Sequence, residues 1–256
     1  MKIIFDLCNT GLGNGGGSLT LIKSANALSK LGCIVCIIDT GKNQHKWTKL
    51  EVPHLIVRNE NQIPDADFII GTGFRSWNHT INVPKRCGKK LIYLRGWETW
   101  QSGESNIVKV LSNKKIQLIV NSIGLYEKVK SYNIKSKVIR PGNDFDLFHP
   151  LNIRNEKEII LGGLYHTRHR TKRSDWAIET KRTLQKKYPN LKLFMFGTNK
   201  NPGIPEIDFY IKQPNIEEKN KLFNKVNIWL SASYLEGLHI VPQEALLTKS
   251  SVVTTN

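Results

Sequence analysis

Ser231-Ala-Ser-Tyr-Leu-Glu-Gly-Leu-His-Ile-Val-Pro-Gln-Glu-Ala-Leu246 follows the apolar run Val226-Asn-Ile-Trp-Leu230. That run reads as a short buried strand, and the stretch after it as a loop turning into a helix. One glutamate, Glu236, falls in the loop, and a second, Glu244, in the first turns of the helix. The chain holds 21 acidic residues against 38 Lys and Arg, so two acids around one strand-to-helix turn ask for a partner.

Outward from this point, short apolar runs alternate with helical patterns, which argues for a parallel α/β architecture. Lys2–Phe5 reads as a strand, followed by a helix over about Ser18 to Leu31 with Leu21, Ala25 and Leu28 on one face. Further strands are expected at 33–38, 68–70, 91–94, 116–120 and 137–139. The segment from Phe148 to Lys157 turns polar around Pro150 and reads as a linker. A second series follows: strands at 158–161, 191–196, 226–230 and 251–254, with helices at 174–187, 216–224 and 240–247. The expected fold is two Rossmann-like domains, residues 1–150 and 151–256. In such sheets ligands bind at the carboxyl ends of the strands, where both glutamates fall. Val252-Val-Thr254 reads as a central strand with no helix after it, so the second domain is expected to be incomplete and the chain a C-terminally truncated fragment.

The 256 residues, 39% apolar, suffice for a sizeable core. No apolar run approaches the ~20 residues that cross a bilayer, and Met1–Asp6 is too short and too soon acidic for a signal peptide. Cys8, Cys33, Cys36 and Cys87 form no disulfide or zinc pattern. Cys33 and Cys36 have redox-motif spacing, but in a strand they face opposite sides and read as packed thiols. A soluble, reducing, cytoplasmic setting is expected. The formal charge of +17 has two readings, a solvated lysine-rich surface or attraction to an anionic partner such as phosphates, nucleic acid or a membrane face.

Asn9-Thr-Gly-Leu-Gly-Asn-Gly-Gly-Gly-Ser18 lies between a strand and a helix. Gly11, Gly13 and Gly16 satisfy G-x-G-x-x-G, and Asp39 stands where a ribose-binding acid ends the second strand. A nicotinamide-dependent oxidoreductase is therefore the alternative reading. Against it, three residues separate the strand from the first glycine, and the spare glycines Gly15 and Gly17 make the pattern easy to satisfy. The plain alternative is a flexible surface loop.

If the later helix starts near His239 or Ile240, its first free N–H groups point toward the strand ends. Pro242 suits that turn, where its missing donor costs little. A diphosphate there would meet oriented donors and the positive end of a dipole. Glu244 could then accept ribose hydroxyls, and Glu236 the hydroxyls of a sugar on the other side. Charge-assisted bonds of this kind contribute about 1.5–3 kcal/mol each. Alone, Glu244 reads more simply as a first-turn acid favoured by the dipole.

Glu236-Gly-Leu-His-Ile-Val-Pro-Gln-Glu244 resembles the Glu-seven-Glu motif of the GT-B glycosyltransferases, specifically the retaining family four. Gly15-Gly-Gly-Ser18 with Ala27-Leu-Ser-Lys-Leu-Gly32 is similar to that family's first loop and helix. Val138–Pro150 is similar to its interdomain segment, and Leu161-Gly-Gly-Leu164 with Lys172 to its basic phosphate-binding loop. The resemblance implies a hexosyltransferase-type enzyme that moves a sugar from a nucleoside diphosphate donor with retention of configuration. It implies that Glu236 faces the donor sugar, that Gly237, Leu238, His239 and Ile240 contact sugar and phosphate, and that Glu244 holds the ribose. Gly16, Ser18 and Gly163 fall on donor-binding positions. Gly163 stands where the family carries an arginine, so Arg168 or Arg170 is expected to substitute, with Lys172 as the better-placed cation. Fixed cations there would stabilise the charge that collects on the departing phosphate.

On the acceptor side, Arg95, Trp97 and Glu98 stand where relatives commonly carry a histidine. The tryptophans could stack on a sugar and Glu98 hold a hydroxyl; packing of both tryptophans between domains is the equal alternative. Asp65/Asp67 and Asp144/Asp146 have the spacing of metal-binding acids but fall on incidental positions, so no metal and no cofactor is implied. The expected partners are a nucleoside diphosphate sugar and an unidentified acceptor, anionic or at the cytoplasmic face of a membrane. Nucleic acid is permitted by charge and supported by no motif. A non-catalytic sugar-nucleotide-binding remnant is the third reading.

Overall fold

The computed structural model describes residues 1–155, 157–166, 170–234 and 236–255. The chain divides into two compact α/β units, Met1–Pro141 and Gly142–Asn256. In the first, the strands are β1 (Lys2–Asp6), β2 (Ile34–Asp39), β3 (His54–Ile56), β4 (Phe68–Gly71), β5 (Lys89–Leu94), β6 (Ile116–Val120) and β7 (Ser136–Val138). The helices are α1 (Gly16–Lys30), α2 (Phe74–Asn82), α3 (Glu104–Leu111) and α4 (Ile123–Lys130). The second unit holds β8 (Ile160–Tyr165), α5 (Ser174–Gln185), β9 (Lys192–Gly197), β10 (Phe209–Lys212), α6 (Ile216–Lys225), β11 (Ile228–Ser231), α7 (Ile240–Leu247) and β12 (Ser251–Thr254).

The first sheet runs β3-β2-β1-β4-β5-β6-β7 and the second β10-β9-β8-β11-β12, every pair parallel. Strands covered by helices on both faces need near-continuous apolar runs, which is why Lys2–Asp6 is legible as a strand. In each sheet the strand order reverses once, at β1/β4 and at β8/β11, and at such a point the loops after the two strands diverge and leave a crevice.

The joint lies at Pro141/Gly142, before the expected position at residue 150. The polar segment after it is tied to the second unit. Phe148 is buried against Phe223, Leu151 N donates to Asn224 Oδ1 at 2.7 Å, and Asn224 Nδ2 donates to His149 O at 2.9 Å. Two edge strands, β3 and β10, were not expected. Their residues are half-buried or exposed, so neither carries an apolar run.

Leu161-Gly-Gly-Leu164 is not a loop but the middle of β8. A Cβ on Gly162 would lie 2.6 Å from Trp229 Cε3, and one on Gly163 would lie 3.0 Å from Met195 Cε and 3.3 Å from Ala177 Cβ. The two glycines admit the fully buried Trp229 on one face of the sheet and α5 on the other. All four cysteines are free, Cys8 and Cys87 buried, Cys33 and Cys36 half-buried.

Candidate functional site

In the second unit, the loop after β8 and the loop from β11 into α7 flank the point where the strand order reverses. They are pinned together. Tyr234 N donates to Thr171 O at 3.1 Å, and the Arg173 guanidinium lies 4.6 Å from the Trp176 ring and 4.8 Å from the Tyr234 ring. A cation between two aromatic faces holds both loops in register. Across this junction Lys172 Nζ bonds Glu236 Oε1, with the two side chains 25% and 22% exposed. His239 joins them, its Nε2 3.4 Å from Glu236 Oε1 and its Nδ1 3.0 Å from the Ser231 hydroxyl. Burial holds the His239 ring below the usual histidine range; Glu236 pulls it up and Lys172 pushes it down.

His239 is the N-cap of α7, and its side chain makes no capping hydrogen bond. The amides of Ile240 and Val241 come before the intrahelical ladder begins, and Pro242 has none to offer. Glu244, one turn further on, is 5% exposed. Its Oε2 accepts from Lys219 Nζ. Oriented donors, a lysine and two carboxylates thus gather at one end of one sheet. The set suits an anion flanked by hydroxyl groups.

In the first unit, the glycine loop follows β1. Gly11 takes a φ of +79°, and Gly13 N donates to Ser18 Oγ at 3.2 Å, so the Ser18 hydroxyl folds the loop back onto the start of α1. Gly16 is the first residue of α1, behind an uncapped Gly15. The Arg95 guanidinium donates to Gly17 O and to Thr72 O, bridging the first turn of α1 and the loop after β4. Burial lowers its pKa. Glu98 Oε2 accepts from Phe74 N, the first amide of α2, at 3.2 Å. Burial raises the Glu98 carboxyl above the usual range, and the Phe74 amide, Arg95 and Arg75 act against it.

No family model matches the sequence, and no curated protein matches it. Solved structures do. Sucrose-phosphate synthase from Thermosynechococcus elongatus matches with a TM-score of 0.72 at 16% identity, over 99% of this chain and 81% of that one. WaaG, a glycosyltransferase involved in lipopolysaccharide biosynthesis, matches with a TM-score of 0.70 at 14% identity, over 98% and 80%. An alpha-glucosyltransferase in complex with UDP and a 13-mer DNA containing a HMU base matches with a TM-score of 0.68 at 13% identity, over 99% and 79%. The fold is that of the GT-B glycosyltransferases.

Within this GT-B chain, Lys172, Glu236, His239, Ile240 and Glu244 are brought to one end of the second sheet, with Gly237 and Leu238 in the same loop. Arg168 lies outside the described residues. Gly163 is not among the site residues: it is buried within β8, and a side chain there would enter the packing between β8, β9 and α5. Trp97 is core as well. It stacks on Tyr132 at 5.8 Å with 10° between the rings, donates to Glu104 Oε1 at 3.0 Å, and is covered by Lys128 Nζ at 5.3 Å. At 7% exposed it offers no platform to a sugar, whereas Trp100 is 59% exposed.

Three of the four aspartates in the two pairs, read from the sequence as incidental, have partners within the fold. Asp67 accepts from Lys2 N, Asp65 pairs with Arg86, and Asp144 accepts from Leu147 N. Asp39 is 1% exposed, its Oδ1 taken by the amides of Thr40 and Gly41, which leaves it withdrawn from any ribose; the nicotinamide alternative finds no support. Asp6, Cys8 and His79 bring ligating atoms within 4.8 Å of one another. The Asp6 carboxylate is engaged by Cys8 N, His79 Nδ1 and Thr80 Oγ1. The functional neighbour that the sequence did not reveal is Lys219. It lies on a different helix from Glu244 and is one of 38 basic residues.

Proposed function

We propose that the chain is a retaining glycosyltransferase of the hexosyltransferase type, taking its sugar from a nucleoside diphosphate donor held by the second unit. The observation that carries the proposal is the Lys172–Glu236 pair beside the uncapped start of α7 at the β8/β11 switch point. The diphosphate lies against the Ile240 and Val241 amides and takes Lys172 as its counter-ion. Glu236, released from the lysine, accepts hydroxyls of the sugar, and Glu244 accepts those of the ribose. As the bond from the anomeric carbon to phosphate breaks, negative charge grows on the departing oxygen. Lys172 and the helix start are fixed in advance where that charge develops, so they lower the barrier. No group on this chain is assigned as a covalent nucleophile, and no metal or cofactor is part of the proposal.

Gly16 and Ser18 at the start of α1 are proposed as donor-binding residues, and Arg95 and Glu98 as acceptor-side groups. The charge of +17 favours an anionic acceptor and a peripheral place at the cytoplasmic face of a membrane. Thermal stabilisation by UDP, GDP, ADP and NAD tests the donor class. One nucleoside diphosphate at 100 times its Kd should stabilise the fold by about 2.7 kcal/mol, and Glu244→Ala should remove the shift. Stabilisation by NAD alone would refute the proposal.

A further inference from the structure

Lys219 sits in the first turn of α6, where a cation meets the positive end of the helix dipole and is out of place for helix stability. The helix does not depend on it. Asn215 and Glu218 already cap the start reciprocally, Asn215 Oδ1 accepting from Glu218 N and Glu218 Oε2 from Asn215 N, both at 2.8 Å. The lysine instead reaches across to α7. Its ammonium lies 5.3, 5.6 and 5.7 Å from the ring centroids of Phe148, Phe196 and Phe223 and bonds Glu244 Oε2. Three aromatic faces fix the cation from one side and the carboxylate completes its shell from the other. Glu244 Oε1 takes no hydrogen bond from any described residue.

We propose that Lys219 is a positioning residue for nucleotide recognition: it pins the buried Glu244 through Oε2 so that Oε1 is presented to the ribose hydroxyls of a nucleoside diphosphate. The inference rests on the donor-site reading above. The Lys219 ammonium fixes the orientation of this carboxylate, which is 5% exposed, and a charge-assisted hydrogen bond to a hydroxyl is about twice as strong as a neutral one. The rings matter equally, because they stop the lysine from swinging into the anion site and competing for the diphosphate. Lys172 and Lys219 thus have separate tasks. The first belongs to the phosphate and the second to the sugar of the nucleoside.

The test is the ratio of dissociation constants for a 2′,3′-dideoxynucleoside diphosphate and its ribose parent, using whichever of UDP, GDP and ADP binds most tightly. Inorganic pyrophosphate serves as the control that touches neither glutamate's task. The unmodified protein should prefer the ribose form by about tenfold or more. In Lys219→Met the preference should fall to about twofold or less, while pyrophosphate binds as before; Lys219→Arg should restore most of it. Should Lys219→Met fail to fold, Lys219→Gln, whose amide still bonds Glu244 without the charge, should show a partial loss. A folded Met or Gln variant that keeps the full ribose preference overturns the inference. Failure of all three nucleotides to bind the unmodified protein would instead remove the donor-site reading beneath it.

Discussion

Lys172→Met separates the two states of the pair at the centre of the site. In the free protein the lysine and Glu236 neutralise each other with side chains 25% and 22% exposed. A pair so close to solvent contributes little, and its loss should cost about 1 kcal/mol of stability or less. With a diphosphate bound, the lysine becomes a counter-ion worth about 1.5–3 kcal/mol, reduced by the need to leave Glu236 first. The expected loss of affinity for a nucleoside diphosphate is therefore about tenfold. Turnover should fall further, by about 10²–10³, because the charge on the leaving phosphate grows in the transition state. Glu236→Gln should act in the opposite sense on one ligand: it frees Lys172, so the bare nucleoside diphosphate binds as well or better, while the donor with its sugar binds less well. Calorimetric titration of both ligands into the three proteins, with urea unfolding as the check on stability, reads all of this. Wild-type affinity for the diphosphate in a folded Lys172→Met protein would refute the reasoning.

Three further outcomes follow from particular residues. His239 is held below its ordinary range, so the folded protein binds its proton less readily than the unfolded chain. Stability should fall as pH drops through about 6.5 and toward that lowered value, and His239→Gln should flatten this part of the urea-midpoint profile. Gly163→Arg should add no cation to the site and instead cost several kcal/mol, because the side chain enters a gap bounded by Met195 at 3.0 Å and Ala177 at 3.3 Å; a variant with wild-type melting temperature would contradict the packing described. Asp39→Ala should leave nucleotide affinity unchanged while lowering the melting temperature, since Thr40 and Gly41 lose their acceptor.

The sequence showed most where physics writes in runs. Central strands buried on both faces, such as Lys2–Asp6, need continuous apolar residues, and the glycine loop and helix that follow it announce themselves through composition. The edge strand His54–Ile56 has no buried residue and left no trace. Glu236 and Glu244 were legible because acids are scarce in this chain. Their partners were harder. Lys172 was reached only through a loop resembling a known one, and Lys219 through no pattern at all, since the aromatic residues that hold it come from positions 148, 196 and 223. Gly163 and Trp97 went astray for a shared reason. Adjacent glycines look like a loop and a tryptophan near a strand end looks like a platform, yet in both places neighbours distant in sequence fill the space.

Release of nucleoside diphosphate from a panel of UDP-, GDP- and ADP-sugars by the purified chain tests the central claim most directly. The account predicts release from one base class, abolished or nearly so in Lys172→Met and Glu236→Gln. Release that is unaffected by either substitution, or no binding of any of the donors by the folded protein, would contradict it.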